Sequence, residues 1–200
     1  MESTTTPKLG SEFADALVYA AKLHGTQTRK GGDIPYFGHL MSVSALVIEA
    51  GGSQTQAIAG LLHDAVEDQG GKPTLAEIEA RFGASVAKIV AECSDTDEVP
   101  KPPWRQRKEK YIQHLQDVAD MTVLVSLADK VDNARAILRD LRLHGEQLWR
   151  RFNVTDPQEH LWYYRALLSA FEKRSDSWLV DELRHAVDEI AVLVEPASGR

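Results

Sequence analysis

The chain has 200 residues, 43% of them apolar, with a formal net charge of −7 and one cysteine. That length and apolar content suit one domain with a substantial core, and the acidic balance excludes the broad basic face of a nucleic-acid binder, so an anionic ligand has to be met by a local cluster. Cys93 alone makes neither an intrachain disulfide nor a cysteine-rich zinc site, which fits a cytoplasmic setting, and no signal peptide or long apolar run points to a membrane.

In chain order, apolar residues recur with the helical period of about 3.6 and no segment alternates as a strand does, which predicts an all-α fold. Residues 1–10 and 196–200 read as flexible tails around a single domain at 11–195. Ser11 is placed to cap a first helix carrying Phe13, Leu17, Ala20 and Ala21. The glycine-rich stretch TQTRKGGDIPYFG is a loop. A second helix begins near His39 and stops at Gly51-Gly52. Ser53 caps a third, which carries Ile58, Leu61 and Leu62 and runs through Asp68 to Gly70-Gly71. Thr74 and Glu77 form a capping box for a short helix ending at Gly83, and another short helix reaches Cys93. SDTDEVPKPPWRQRKEK is a proline-broken loop feeding a basic helix through Tyr111, Ile112 and Leu115. MTVLVSLADKVDNARAILRDL is the most apolar helix and is expected at the centre of the bundle. EHLWYYRALLSAF and WLVDELRHAVDEIAVLV complete the domain, with Trp149, Trp162 and Trp178 as core aromatics.

One stretch, AGLLHDAVEDQGG, breaks a local rule. On a continuous helix His63 and Glu67 are i and i+4, as are Asp64 and Asp68, so the four project from adjacent stripes of one end. Carboxylates in a last turn face the negative end of the helix dipole, unfavourable by about 0.3–1 kcal/mol each without a cation. Asp129 repeats the breach inside an apolar helix, where a lone buried carboxylate has to be paired or ligated. His39 supplies a second imidazole. Two imidazoles and two carboxylates suit Mn²⁺, Fe²⁺ or Zn²⁺ better than Ca²⁺, and leave positions for water and substrate.

The order His39, His63-Asp64, Asp129 resembles the H…HD…D signature of the HD-domain metallohydrolases. The words RKGGDIPYFGH, AGLLHDAVED and SLADKVDNAR narrow it: in order and spacing they resemble the hydrolase domain of the RelA/SpoT alarmone enzymes and the stand-alone small alarmone hydrolases, over roughly residues 12–172. The resemblance implies an HD-type helical bundle, Mn²⁺ as the usual ion, and removal of the 3′-pyrophosphate from (p)ppGpp to give GDP or GTP. Carried over by residue, it implies that His39, His63, Asp64 and Asp129 hold the metal, and that Glu67 and Asp68 position and deprotonate the attacking water. Arg29 and Lys30 would hold phosphates or stack on the base, Asn133 would contact the nucleoside, and either Tyr163 or Tyr164 would line the nucleotide pocket.

Two features depart from the pattern. Asp132 stands where the family usually has His or Tyr, which brings an extra negative charge to bear on metal preference or nucleotide choice. The loop at 94–104 matches the family's TD segment only at Asp95-Thr96 and Thr96-Asp97; the basic cluster Arg105, Arg107, Lys108 and Lys110 behind it reads as a phosphate contact or as a solvated helix face. His24, His114, His144, His160 and His185 have no motif and are assigned to surface or core. Two rival functions are an HD phosphomonoesterase acting on nucleotides or NADPH, and an alarmone-binding or antitoxin module without turnover, which would need no general base. A small-molecule nucleotide is the expected partner, and homo-oligomerisation is left open.

Overall fold

A computed structural model of the chain describes residues 9–94, 100 and 102–195. Its helices are α1 (Ser11–Leu23), α2 (Phe37–Glu49), α3 (Gln54–Leu62), α4 (Ala65–Asp68), α5 (Lys72–Cys93), α6 (Trp104–His114), α7 (Asp120–His144), α8 (Pro157–Phe171) and α9 (Leu179–Val194), with a 3₁₀ segment, Gly145–Arg151, after α7. Among the described residues extended pairing is limited to one antiparallel bridge between Thr28 and Pro35, so the fold is all-α, as the periodicity predicts. The tails at 1–8 and 196–200 and the TD matches at 95–97 lie outside the described residues.

The apolar run of α7 occupies the centre, packed against α2, α3, α5, α9 and the 3₁₀ segment. Val125, Leu127, Ala128, Val131 and Ala134 are fully buried there. Asp120 in its first turn and Arg142 and His144 in its last complement the helix dipole, and Gly145, at φ 56°, ends it in a conformation that favours glycine. The α2–α3 pair is unusually close. A Cβ on Gly60 would lie 3.1 Å from Ser44 Cα, and the Ser44 hydroxyl donates to Ala57 O at 2.9 Å.

Several local expectations hold. Ser53 caps α3 in a full capping box with Gln56. Others need correction. The third helix does not run to Asp68; it ends at Leu62, and after His63 and Asp64 a separate single turn, α4, follows. His63 Nδ1–H donates to Gly60 O at 2.9 Å, a side-chain bond that competes with the helical ladder at that point. Thr74 is not a cap: α5 begins at Lys72, with proline in its first turn, and the Thr74 hydroxyl donates back to Gln69 O at 2.8 Å. The break expected at Gly83 is present: at φ 84° and ψ 163° that glycine is not helical, and it divides the span of α5 into two shorter helical pieces, the second reaching Cys93. Gly10, not Ser11, is the cap position of α1. Trp149 is buried and Trp162 packs on the core, but Trp178 precedes α9 with 41% of its surface exposed.

Candidate active site

Because only a short turn joins α2 to α3, the two pack side by side and the first turn of α2 lies next to the end of α3. The His39 and His63 rings are 5.1 Å apart, edge to face. The break after Leu62 turns His63 and Asp64 toward α7, where Asp129 waits. Asp129 Oδ1 lies 3.2 Å from His39 Nε2 and 3.5 Å from His63 Nε2. Asp64 Oδ2 lies 3.0 Å from His63 Nε2 and 3.6 Å from His39 Nε2. The ligand-type atoms of His39, His63 and Asp129, all buried residues, fall within 4.8 Å of one another.

The chemistry of this cluster fits a divalent ion. His39 Nδ1 is bonded to Asp132 Oδ2 at 2.6 Å and His63 Nδ1 to Gly60 O at 2.9 Å, so each ring donates its proton outward. Both Nε2 atoms are buried without a hydrogen-bond partner, and both face the carboxylates. In neutral imidazole such an atom is a bare lone pair, and a held Nδ1–H is the usual companion of an Nε2 ligand.

The crowded carboxylates favour a positive charge at this spot, whether a proton or a cation supplies it. Burial alone depresses an imidazole, yet the carboxylates of Asp129, Asp132 and Asp64 outweigh it and push His39 up to about 9. His63 is likewise raised, because Asp64 and Asp129 overcome its burial. Burial would raise Asp64 and Asp129, but His63 beside the first and Lys130 beside the second hold both well below the usual carboxylate range. Lys130 Nζ is 2.5 Å from Asp129 Oδ2. The Tyr36 hydroxyl donates to Asp64 Oδ2, and burial followed by the Asp64 charge keeps that phenol protonated.

Above the cluster opens a cleft of about 360 Å³, lined by Arg29, Lys30, Asp64, Glu67, Asp68, Asp129, Asn133, Tyr163 and Tyr164 among others. Every site residue singled out in the sequence therefore reaches one place, with the two histidines behind Asp64 and Asp129. Arg29 is set by the loop: its N–H bonds Ile34 O and the Tyr36 N–H bonds Gln27 O, each at 2.9 Å. Gly31, at φ 77°, lies flat under Arg151, whose Cγ and Cδ would be 2.5 Å from any added Cβ. Arg29 Nη1 donates to Asn133 Oδ1 at 3.0 Å and Nη2 to Asp132 Oδ2 at 2.5 Å. Asn133 Nδ2, one helical turn past Asp129, donates to its Oδ1 at 2.5 Å.

Of the basic cluster on α6, Lys108 lines the cleft, 5.0 Å from the Tyr163 ring centre. Arg105 is turned to Glu159 and Glu109, at 2.9 and 3.0 Å, over the Trp162 ring. Both tyrosines line the wall. Residues the sequence did not flag are Gln27, Tyr36, Lys130, Arg151, Trp104 and His160. Gln27 has its amide orientation dictated: Oε1 accepts from Gln69 Nε2 at 2.5 Å and from His24 Nδ1 at 2.7 Å, so Nε2 donates to Asp68 Oδ2 at 2.7 Å. Burial, then the neighbouring Asp64 charge, raises Asp68. No sequence pattern signals a glutamine in that role, whereas Tyr36 sits inside the quoted RKGGDIPYFGH word.

Comparison with known proteins identifies the family to which this helical bundle and its buried His-Asp cluster belong. A family model described as an HD domain matches residues 16–153. A Xenopus tropicalis protein named guanosine-3′,5′-bis(diphosphate) 3′-pyrophosphohydrolase MESH1 is 35% identical over 145 residues, 71% of this chain and 76% of that one. The Homo sapiens protein of the same name is 34% identical over 154 residues, 74% of this chain and 81% of that one. A solved structure described as a metazoan ortholog of SpoT that hydrolyzes ppGpp superposes with a TM-score of 0.70 at 28% identity, covering 94% of this chain and 97% of the other. The chain belongs to the HD-domain family, in the branch that holds the MESH1 proteins.

Proposed function

We propose that this chain is a metal-dependent hydrolase that removes the 3′-pyrophosphate of (p)ppGpp, giving GDP or GTP and pyrophosphate, with residues 11–195 as its catalytic domain and Mn²⁺ as its ion. The observation that carries this reading is the meeting of two outward-bonded imidazoles and two carboxylates beneath a cleft whose walls carry Arg29, Lys30 and Lys108. His39, His63, Asp64 and Asp129 would hold the ion, which when bound supplies Lewis-acid activation of water and neutralises phosphate charge.

The side chains divide the remaining work. Glu67 and Asp68, on the turn just past His63 and Asp64, accept the water's proton as its oxygen bonds to the phosphorus on the 3′-oxygen; the bond between that phosphorus and the 3′-oxygen breaks, and the departing oxygen takes up a proton from solvent to become the 3′-hydroxyl of GDP or GTP. Gln27 fixes Asp68, and the raised proton affinity of Asp68 favours that acceptance. Arg29, Lys30 and Lys108 meet phosphate oxygens through charge-assisted bonds, roughly twice as strong as neutral ones. Asn133 contacts the nucleoside, and Tyr163 with Tyr164 supplies the aromatic wall.

The test is chromatographic. Purified protein with Mn²⁺ should convert ppGpp to GDP and pyrophosphate and leave ATP and GTP intact. Orthophosphate as the sole phosphate product, or equal turnover of a simple 3′-monophosphate, would replace the reading with a phosphomonoesterase. Tight binding of ppGpp without turnover would make the chain a sensor.

A further inference from the structure

One carboxylate oxygen of Asp132 does two things at once. Oδ2 accepts His39 Nδ1–H at 2.6 Å and Arg29 Nη2–H at 2.5 Å. Its place follows from helix geometry, since it lies three residues beyond Asp129 on α7 and so shares its face. Arg29 is also bonded to Asn133, which is bonded to Asp129, which is paired with Lys130. A continuous chain of bonds thus runs from the cleft wall to two of the four ligand-type side chains. His63 has no such carboxylate; its Nδ1–H goes to the Gly60 carbonyl.

We infer that Asp132 is a positioning residue that links occupancy of the phosphate-binding guanidinium to ion affinity, by sharing one carboxylate charge between Arg29 and His39. The inference rests on the reading of His39 as an ion ligand and Arg29 as a phosphate contact. In the free site the Arg29 charge offsets Asp132, which limits how strongly Asp132 polarises the His39 ring. When a phosphate draws the guanidinium away, the Asp132 charge acts on Nδ1–H undivided, and Nε2 becomes a stronger donor to the ion. By linkage, a bound ion favours the phosphate by the same factor.

Mn²⁺ alone is a sufficient probe. Calorimetric titration, with free Mn²⁺ followed by its electron paramagnetic resonance signal, compares the wild type with Arg29→Ala, Asp132→Asn, the double variant, Asp132→Ala and His39→Ala. Asp132→Asn keeps an acceptor for Nδ1–H and loses the charge, so it should bind Mn²⁺ about 10–100-fold more weakly, the usual effect of removing a partner behind a ligand histidine. Asp132→Ala should be weaker still. Arg29→Ala should bind Mn²⁺ about fivefold or more tightly, the lower end of typical site–site coupling, and this gain should vanish in the Asp132→Asn background. Melting curves without metal check that each variant is folded.

Mn²⁺ affinity of Asp132→Asn within twofold of wild type would overturn the inference while leaving the ligand set standing. The same tightening by Arg29→Ala in both backgrounds would also overturn it, since a through-space charge effect needs no carboxylate between the two. A wild type that binds no Mn²⁺, or a His39→Ala that binds it equally well, would reject the ligand reading and this inference together.

Discussion

Lys130→Met gives a direct measure of what compensates the most deeply placed acid of the site. The Lys130–Asp129 pair is 2.5 Å apart, with the two side chains 14% and 8% exposed, so solvent screens it little. Breaking a buried pair by removing one partner costs about 3–5 kcal/mol. The lower end applies here, because Asn133 and both imidazoles still contact Asp129. For a domain of this size each kcal/mol corresponds to about 2–4 °C in Tm, so the metal-free variant should melt about 6–12 °C below the wild type. Methionine keeps the stem that passes the Tyr111 ring, where Lys130 Nζ lies 4.9 Å from the ring centre. A divalent ion replaces the lost positive charge beside Asp129, so saturating Mn²⁺ should recover most of the deficit and bind more tightly to the variant than to the wild type. Differential scanning fluorimetry across a Mn²⁺ series reads both effects. An equal Tm loss with and without Mn²⁺ would refute the reasoning, by showing that Lys130 supports packing and not the Asp129 charge.

Glu67→Gln should lower kcat by about 10²–10⁴, the range for losing a general base, with metal content by elemental analysis unchanged; loss of the metal would instead make Glu67 a ligand. Gly60→Ala forces a Cβ to 3.1 Å from Ser44 Cα, backbone that cannot rotate away. Overpacking of this kind costs about 1–3 kcal/mol, and because it parts α2 from α3 it should weaken Mn²⁺ binding as well; unchanged urea unfolding would count against the close approach. His160 is lowered from 6.5 by burial, with the Val154 carbonyl only partly offsetting it. The folded chain therefore resists protonation there, its stabilising share is complete above pH 6.5 and is lost as pH falls through the lower folded value; a nuclear magnetic resonance titration of the His160 ring with a midpoint at or above 6.5 would contradict this.

The all-helical class, the cap at Ser53 and the break at Gly83 were legible because each is a local event, set by periodicity, one cap or one glycine. The clustering of His39, His63, Asp64 and Asp129 was legible through the resemblance of their order to the H…HD…D signature. The interruption at His63 and Asp64 was not, because the pattern of apolar residues carries straight through it and the cause is one ring nitrogen bonding a carbonyl three residues back. Lys130 escaped notice for a related reason. Adjacent residues on a helix do not face each other, yet its long stem bends back to Asp129 within a buried space bounded by Tyr111 and Tyr163. Gln27 is placed by contacts with His24, Asp68 and Gln69, and only tertiary structure brings those donors and acceptors to one amide.

The flat stacking of Arg151 on Gly31 ties the loop that presents Arg29 to a side chain made much later in synthesis. The same loop is held from its other side by the Arg29 guanidinium, bonded to Asp132 and Asn133 on α7. Loop and cleft wall therefore share one mechanical fate: a side chain at position 31 has to push Arg151 aside, and the displacement is passed along two residues of backbone to the guanidinium.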